Sequence, residues 1–285
     1  MNARRTVTAG LRRGWTEFGH FLANPKEIWQ TTLGAVGVYA ALVLFIGDRE
    51  VPGTGVPLGL FITAGYIATM MMQVGLYNLP MMITADREEG ALLRLRGIPG
   101  GIAVYLVGKG LLVLAVTVTV LAMMLVAGVL LAGIALPADP AKWLTLAWVL
   151  VLSLLATVPL GAAVGCLLPN VRSGAGILMV PFMVFIVAAG VFFPVTAFPE
   201  PMQAATQAIP LYWMALGVRS VFLPDSMLAA ELHGSWQPVE TAAVLGAWAL
   251  AGMVLAPLLL RRMTRKESGS RLAARRERAS ARAVY

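Results

Sequence analysis

Long apolar runs alternate with short polar segments along most of the chain. A helix needs about 20 mostly apolar residues to cross a bilayer, and six windows of the sequence reach that length. These windows are residues 28–46, 57–83, 102–136, 143–168, 173–193 and 239–260. The pattern therefore predicts an all-α polytopic membrane protein with six transmembrane helices within residues 28–260.

The segment before the first window, residues 1–27, predicts an amphipathic interfacial helix. Leu11, Trp15, Phe18 and Leu22 recur at helical spacing and share one face of such a helix. A helix of this kind lies along the membrane surface with its large rings near the lipid headgroups. We therefore expect Trp15 and Phe18 to act as interfacial anchors.

The composition and the distribution of charge support a membrane location. The chain has 285 residues, of which 59% are hydrophobic and 13% charged, whereas a soluble domain carries about 25% charged residues. Of the 22 Lys and Arg residues, all but Arg49, Lys142 and Arg219 fall on the side that holds both termini and the loop 85–101. Basic residues concentrate on the cytoplasmic side of membrane proteins, so both termini are predicted to be cytoplasmic.

The same charge distribution indicates a lipid rather than a nucleic-acid partner. The net charge is +8, and nine basic residues lie in the tail 261–285. Basic residues beside membrane spans are attracted to anionic lipid at the cytoplasmic face. Lys109, near the start of the third window, is expected to reach the membrane surface by extending its side chain.

Several kinds of chemistry are not expected in this chain. The sequence contains no P-loop motif for ATP, and its acidic residues fall outside the cores of the six windows. His20 and His233 have no metal-ligand spacing to another donor, and Cys166 has no second cysteine to pair with. We therefore expect no catalytic residue, no metal site and no cofactor in the chain itself.

A short charged segment, "ADREEGALLRLRGIPGG" at residues 85–101, separates the second and third windows. The pattern predicts one helix over residues 87–96, with Asp86 as the N-cap and Glu89 completing a capping box. The acids lie near the positive end of that helix and the arginines near its negative end, and Leu92 and Leu95 form one apolar ridge. The segment is either a docking helix for a partner or a well-capped interfacial turn.

Two further regions carry candidate binding or anchoring residues. The second window contains Met71, Gln73, Tyr77 and Asn78, and polar side chains inside a membrane usually face protein or a cavity. These four residues are candidates for lining a substrate pathway, with packing as the alternative. The Gly-x-x-x-Gly pattern at 161–165 is interpreted as close helix packing.

The segment 194–238 follows the fifth window and contains an apolar piece too short to span, at 211–223. We expect this piece to be re-entrant or interfacial. Tyr212 and Trp213 are its predicted interfacial anchors.

The sequence resembles the ABC-2 type permeases of ATP-binding cassette transporters, and within them the daunorubicin-resistance drug-export branch. The resemblance rests on "DREEGALLRLRGIP" after the second window and on "GVFFPVTAFPEPMQAATQAIPLYWMALGVRSVF" after the fifth. It implies that the loop 85–101 contains a coupling helix that docks on a separate ATPase subunit, which binds ATP and Mg. The implied coupling residues are Asp86, Glu88, Glu89, Gly90, Leu92, Arg94, Leu95 and Arg96.

The resemblance also implies an assembly and an activity. Two permease chains, identical or different, would pair with two ATPase chains in a bacterial plasma membrane. The complex would export an amphipathic drug-like molecule or a lipid by alternating access. Export of a lipid-linked polysaccharide within the same family, and a stand-alone channel or membrane scaffold, are the alternatives.

Overall fold

The computed structural model describes residues 3–29 and 34–266, and most of them are helical. Five described helices are long and apolar enough to cross a membrane. They are Leu58–Glu88, Gly101–Ala132, Pro140–Leu167, Val171–Ala188 and Pro238–Leu259. Each coincides with one of the last five predicted windows, so a multi-pass helical membrane protein is confirmed.

The first predicted window, 28–46, is only partly described. It contains the end of α2 (Pro25–Ile28) and the 13-residue helix α3 (Gly34–Ile46), while residues 30–33 lie outside the described part. A helix of that length is shorter than a full span. A two-stranded antiparallel hairpin, β1 (Glu50–Val51) and β2 (Val56–Pro57), then connects α3 to the next helix.

The second span is one continuous helical path with an irregular centre. It begins as α4 (Leu58–Gln73), passes through a π-helical turn (Val74–Asn78), and continues as α5 (Leu79–Glu88). The remaining helices are α6 (Ala91–Arg96), α7 (Gly101–Ala132), α8 (Pro140–Leu167), α9 (Val171–Ala188), α10 (Glu200–Thr206), α11 (Pro210–Phe222) and α12 (Pro238–Lys266).

Helix α8 packs against the second span through its two glycines. A Cβ atom at Gly161 would lie 2.0 Å from the carbonyl oxygen of Gly75, and one at Gly165 would lie 2.9 Å from the carbonyl oxygen of Pro80. Only glycine allows the two backbones to approach so closely. The interpretation of the 161–165 pattern as close helix packing is confirmed.

The N-terminal helix α1 (Ala3–Ala23) packs along α7. Gly10 and Gly14 are buried in this contact, and a Cβ atom at Gly14 would lie 2.5 Å from the carbonyl oxygen of Gly108. The side of α1 that carries Leu11, Trp15 and Leu22 remains exposed, with Trp15 at 65%. Helix α1 therefore has a glycine face that packs on α7 and an exposed apolar face, while its position at the lipid interface stays a prediction.

The segment 194–238 forms short helices, as expected, but α11 is not interfacial. It packs against α4, α8 and α12, and Tyr212 and Trp213 are 0% and 3% exposed. Because α11 is apolar on nearly every side, burial within the protein removes more apolar surface than an interfacial position would. The prediction that Tyr212 and Trp213 are lipid-interface anchors is wrong.

Candidate functional site

The segment between the second and third spans differs from the predicted single helix. Helix α5 continues without a break to Glu88, Glu89 is its C-cap, and Gly90 adopts a left-handed conformation with φ of +76°. A second, short helix, α6, then runs from Ala91 to Arg96. The predicted capping box is therefore wrong, because Asp86 lies inside a helix whose preceding turns already bond its backbone.

The Asp86 side chain binds laterally to α7. Its Oδ2 atom accepts a hydrogen bond of 2.8 Å from the Tyr105 hydroxyl and lies 2.9 Å from the Lys109 Nζ. Tyr105 is fully buried and Lys109 is 8% exposed. A carboxylate that is paired and hydrogen-bonded in this way fixes the end of α5 against α7.

Lys109 also bonds the N-terminal helix. Its Nζ lies 3.0 Å from Oε2 of Glu17, whose Oε1 is 2.7 Å from Nε of Arg13. The Arg13 guanidinium lies 5.0 Å from the centre of the Tyr105 ring. The prediction that Lys109 extends to the membrane surface is wrong, because two carboxylates hold its charge inside the protein.

We call Arg13, Glu17, Asp86, Tyr105 and Lys109 the three-helix network, because these residues join α1, α5 and α7. The network changes the acidity of Glu17. Burial raises the pKa of Glu17, but the cations of Lys109 and Arg13 outweigh that effect, so its pKa lies below the ordinary value. Glu17 therefore holds its charge, and its attraction for Lys109, at neutral pH.

The opposite side of α5 is tied to the α8–α9 connection. The Arg87 guanidinium donates to the carbonyl oxygens of Cys166 and Pro169, each at 3.2 Å, and to that of Leu168. Glu88 Oε1 accepts from the backbone N–H of Val171, at the start of α9. Arg87 thus satisfies carbonyls at the end of α8, which have no partner within that helix.

The part of the segment that faces away from the protein is small. Glu89, Arg94 and residues 97–100 are exposed, and Ile98 presents 55% of its surface. Leu92 is only 2% exposed and Leu95 is half-buried, so the predicted Leu92–Leu95 ridge faces the protein itself. The Arg96 side chain lies outside the described residues.

The candidate pathway residues divide into two groups. Met71 is 2% exposed and packs between helices in the core. Gln73, Tyr77 and Asn78 are half-buried at the π-helical turn, and the Tyr77 ring lies 5.7 Å from that of Phe182 on α9. The Asn78 Nδ2 atom is buried without a hydrogen-bond partner among the described residues.

Sequence reasoning missed three residues that build this site. Arg87 and Tyr105 carry most of the hydrogen bonds to neighbouring elements, and Glu17 supplies the carboxylate from α1. A signal was available for Glu17, since Lys109 inside a predicted span is costly without an anionic partner. Neither Arg87 nor Tyr105 gives such a signal.

No group of three or more His, Cys, Asp or Glu side chains that could hold a metal ion occurs within the described part of the chain. The ion pairs at this end of the bundle join α7 to α1 and to α5, and a further pair lies within α1. These contacts hold α5 against α7 and against the end of α8.

These features define a multi-pass helical membrane protein with a charged, firmly braced loop at one end of the bundle. The family model described as ABC-2 family transporter protein matches residues 57–260, and the chain belongs to this family. Members of the family are the membrane component of ABC transporters, and a separate subunit hydrolyses ATP. No curated protein sequence matches the chain.

Proposed function

We propose that the chain is the permease subunit of an ATP-driven exporter and that residues 89–98 are its docking surface for the ATPase subunit. One observation carries the proposal: the exposed loop that holds Glu89, Arg94 and Ile98 is braced on both sides by buried charged groups. A free interfacial turn would not need such bracing. A loop that transmits force to the membrane helices needs such support on both sides.

The contacts that hold the loop indicate how a displacement of α6 would reach the membrane-spanning helices. A shift of α6 pulls on α5, because Gly90 joins them directly. From α5 the shift passes through Asp86 to α7 and α1, and through Arg87 to the end of α8. Packed helices joined by such contacts move as a body, so four helices respond to one docking site.

The charged docking residues expected from the sequence are revised accordingly. Glu89 and Arg94 remain candidate contacts to the ATPase, and Ile98 joins them. Asp86 and Glu88 stabilise the loop through Lys109 and Val171, so their effect on coupling is indirect.

The substrate we propose is an amphipathic drug-like molecule or a lipid, as in the daunorubicin-resistance branch. The π-helical turn supports this, because Gln73, Tyr77 and Asn78 combine aromatic and amide groups in one half-buried place. Single π-helical turns inside α-helices are frequent at functional sites. The Asn78 amide, buried without a partner among the described residues, could donate to a substrate oxygen.

The rest of the assembly follows from the same proposal. In this proposal the chain crosses the membrane six times, as the sequence predicts, so both termini and the loop 85–101 lie in the cytoplasm of a bacterium, next to anionic lipid. ATP and Mg bind to the ATPase subunit, and a second permease chain completes the pathway. The basic residues of the tail 261–285 are proposed to bind anionic lipid at the cytoplasmic face; residues 267–285 lie outside the described part of the chain.

Copurification with the ATPase tests the proposal. We expect Glu89→Lys combined with Ile98→Asp to insert at the wild-type level but to lose the ATPase in detergent extracts. Truncation of one partner in a desolvated interfacial charge pair costs roughly 2–5 kcal/mol, and reversal of the charge is expected to cost more. Glu50→Lys, an exposed acid on the β-hairpin, is the matched control and should retain the ATPase.

A double variant that binds the ATPase as well as wild type would overturn the docking surface. A wild-type chain that copurifies with no ATPase at all would instead favour the stand-alone channel or scaffold. Measurement of exported compounds from cells then separates a drug-like substrate from a lipid-linked polysaccharide.

A further inference from the structure

Arg219 on α11 has one of the most deeply buried side chains in the protein, at 1% exposed. Its Nε atom lies 2.7 Å from Oε1 of Glu231, and its Nη2 donates to Oε2 at 3.3 Å. Glu231 is 5% exposed. Among the described residues, Glu231 is the one carboxylate that pairs with Arg219.

This ion pair joins segments that are distant in the chain. We call residues 189–237 the cap. The Arg219 guanidinium donates to the carbonyl oxygen of Gly190, at 3.4 Å, and its carbon lies 4.9 Å from the centre of the Phe61 ring on α4. Arg219 therefore connects the start of the cap, the end of the cap through Glu231, and the first turn of the second span.

The surroundings of the pair are closely packed. A Cβ atom at Gly65 on α4 would lie 2.8 Å from the carbonyl oxygen of Val191, so the cap rests directly on the helix backbone. The Thr196 hydroxyl donates to the carbonyl oxygen of Ala230 at 3.1 Å and closes the cap on itself. Water is excluded from the pair only while these contacts remain.

A buried ion pair such as Arg219–Glu231 seldom stabilises a protein more than apolar side chains would in the same place. Removing two charges from water costs nearly as much as their attraction returns, and apolar side chains of similar volume often stabilise a protein as much or more. The ion pair therefore adds little net free energy to the closed state, which rests mainly on the burial of the apolar residues of the cap. An apolar pair would favour the closed state strongly.

We propose that Arg219 and Glu231 form a latch that holds the cap on α4 and releases it when the two charges become hydrated. The latch lies at one end of the helical path Leu58–Glu88, and the three-helix network lies at the other end. Helix α4 therefore contacts the cap through Phe61 while α5 contacts the network through Asp86. The inference goes beyond the proposed docking function and requires no ATPase for its test.

The test measures how often the cap opens in the full chain, purified in lipid nanodiscs where both faces are accessible. Ala189 is fully buried beside Gly190, so Ala189→Cys in a Cys166→Ala background reports opening through its labelling rate with a water-soluble thiol reagent. Ala156→Cys, fully buried on α8, reports general unfolding. Asp225→Asn, which removes the charge from the exposed acceptor of the Trp236 Nε1 bond, is the matched control within the cap.

Three results at position 189 and one at position 156 are expected together. Glu231→Gln should raise the labelling rate at position 189 by roughly tenfold or more, because it leaves a buried charge unpaired. Arg219→Met with Glu231→Leu should lower that rate below wild type, and Asp225→Asn should leave it within about twofold of wild type, since exposed polar contacts contribute little. The rate at position 156 should stay at the wild-type level in each variant.

Two results would overturn the latch. One is an unchanged rate at position 189 in Glu231→Gln. The other is a faster rate in the apolar pair than in wild type, with position 156 still protected, because the charges would then serve only to hold the cap together. Neither result depends on ATP or on a transported substrate, so the docking surface could still stand.

Discussion

Lys109 Nζ lies 2.9 Å from Asp86 Oδ2 and 3.0 Å from Glu17 Oε2, so one lysine is shared between two carboxylates from different helices. The two acids come from α5 and α1, and the lysine from α7. This relationship makes the loop 85–101 and the N-terminal helix parts of one rigid unit.

Loss of the shared cation should therefore destabilise the protein. We expect Lys109→Met to lower the free energy of unfolding by about 3 kcal/mol, because it leaves two carboxylates without their buried partner. Thermal unfolding of the detergent-solubilised chain measures the effect. Lys26→Met, at an exposed position, is the control and should unfold at the wild-type temperature, so equal losses in both variants would contradict the role of the network.

The Glu17 carboxylate should make part of this stability depend on pH. Its pKa is lower in the folded protein than its ordinary value, so its contribution is present above the unfolded pKa, about 4.3 for Glu, and is lost as the pH falls through the folded pKa. We expect Glu17→Gln to unfold at a lower temperature than wild type at pH 7. The two proteins should converge as the pH falls below about 4, and a gap that stays constant with pH would contradict this assignment.

Arg87 should protect Cys166 from thiol reagents. Its guanidinium bonds three carbonyl oxygens at the end of α8, including that of Cys166, and a lysine cannot reproduce this fork of donors. We expect Arg87→Lys to increase the labelling rate of Cys166, which is 8% exposed, by roughly tenfold or more. Arg94→Lys, at an exposed site, should not change that rate. If both variants label at the wild-type rate, Arg87 does not hold the end of α8.

The glycine contact at the π-helical turn should be intolerant of a methyl group. Gly161→Ala would place a Cβ atom 2.0 Å from the Gly75 carbonyl oxygen, so we expect a loss of about 1–3 kcal/mol or more in stability. Gly176→Ala is the control, because nothing lies within 4 Å of its Cβ position. Thermal unfolding of the two variants decides the matter, and a Gly161→Ala protein as stable as the control would show that the helices can separate at no cost.

The proposed orientation can be checked with single cysteines in a Cys166→Ala background. Ser226, Glu50 and Gly97 are all exposed, so cysteines at these positions react if they meet the reagent. We expect positions 50 and 226 to label in intact cells with an impermeant reagent, and position 97 to label only after permeabilisation. Labelling of position 97 in intact cells would reverse the orientation and remove the docking surface from the cytoplasm.

The parts of the fold that the sequence predicted are those that depend on local composition. Apolar runs determine which segments can enter a bilayer, and the last five windows match five described helices within a few residues. The Gly161–Gly165 pattern likewise states a local requirement for close approach. The first window is the exception, because its described helix has 13 residues.

The parts that the sequence did not predict depend on partners far along the chain. Asp86 has the ideal chemistry of an N-cap, yet Tyr105 and Lys109 bind it from another helix and α5 runs through it. In the sequence Arg219 gives no sign of a partner, and only the fold brings Glu231 beside it. In both cases a tertiary contact outweighs a local preference, and no local pattern encodes that contact.

Because α1 has a glycine face and an apolar face, its two sides find their partners at different times during synthesis of the protein. Gly10 and Gly14 are covered by α7, but α7 leaves the ribosome only after α1 and the second span have been made. During that interval the glycine face has nothing to pack on, while Leu11, Trp15 and Leu22 can already enter the lipid surface. The apolar face of α1 therefore holds this helix at the bilayer surface during synthesis, until α7 has been made and can cover the glycine face.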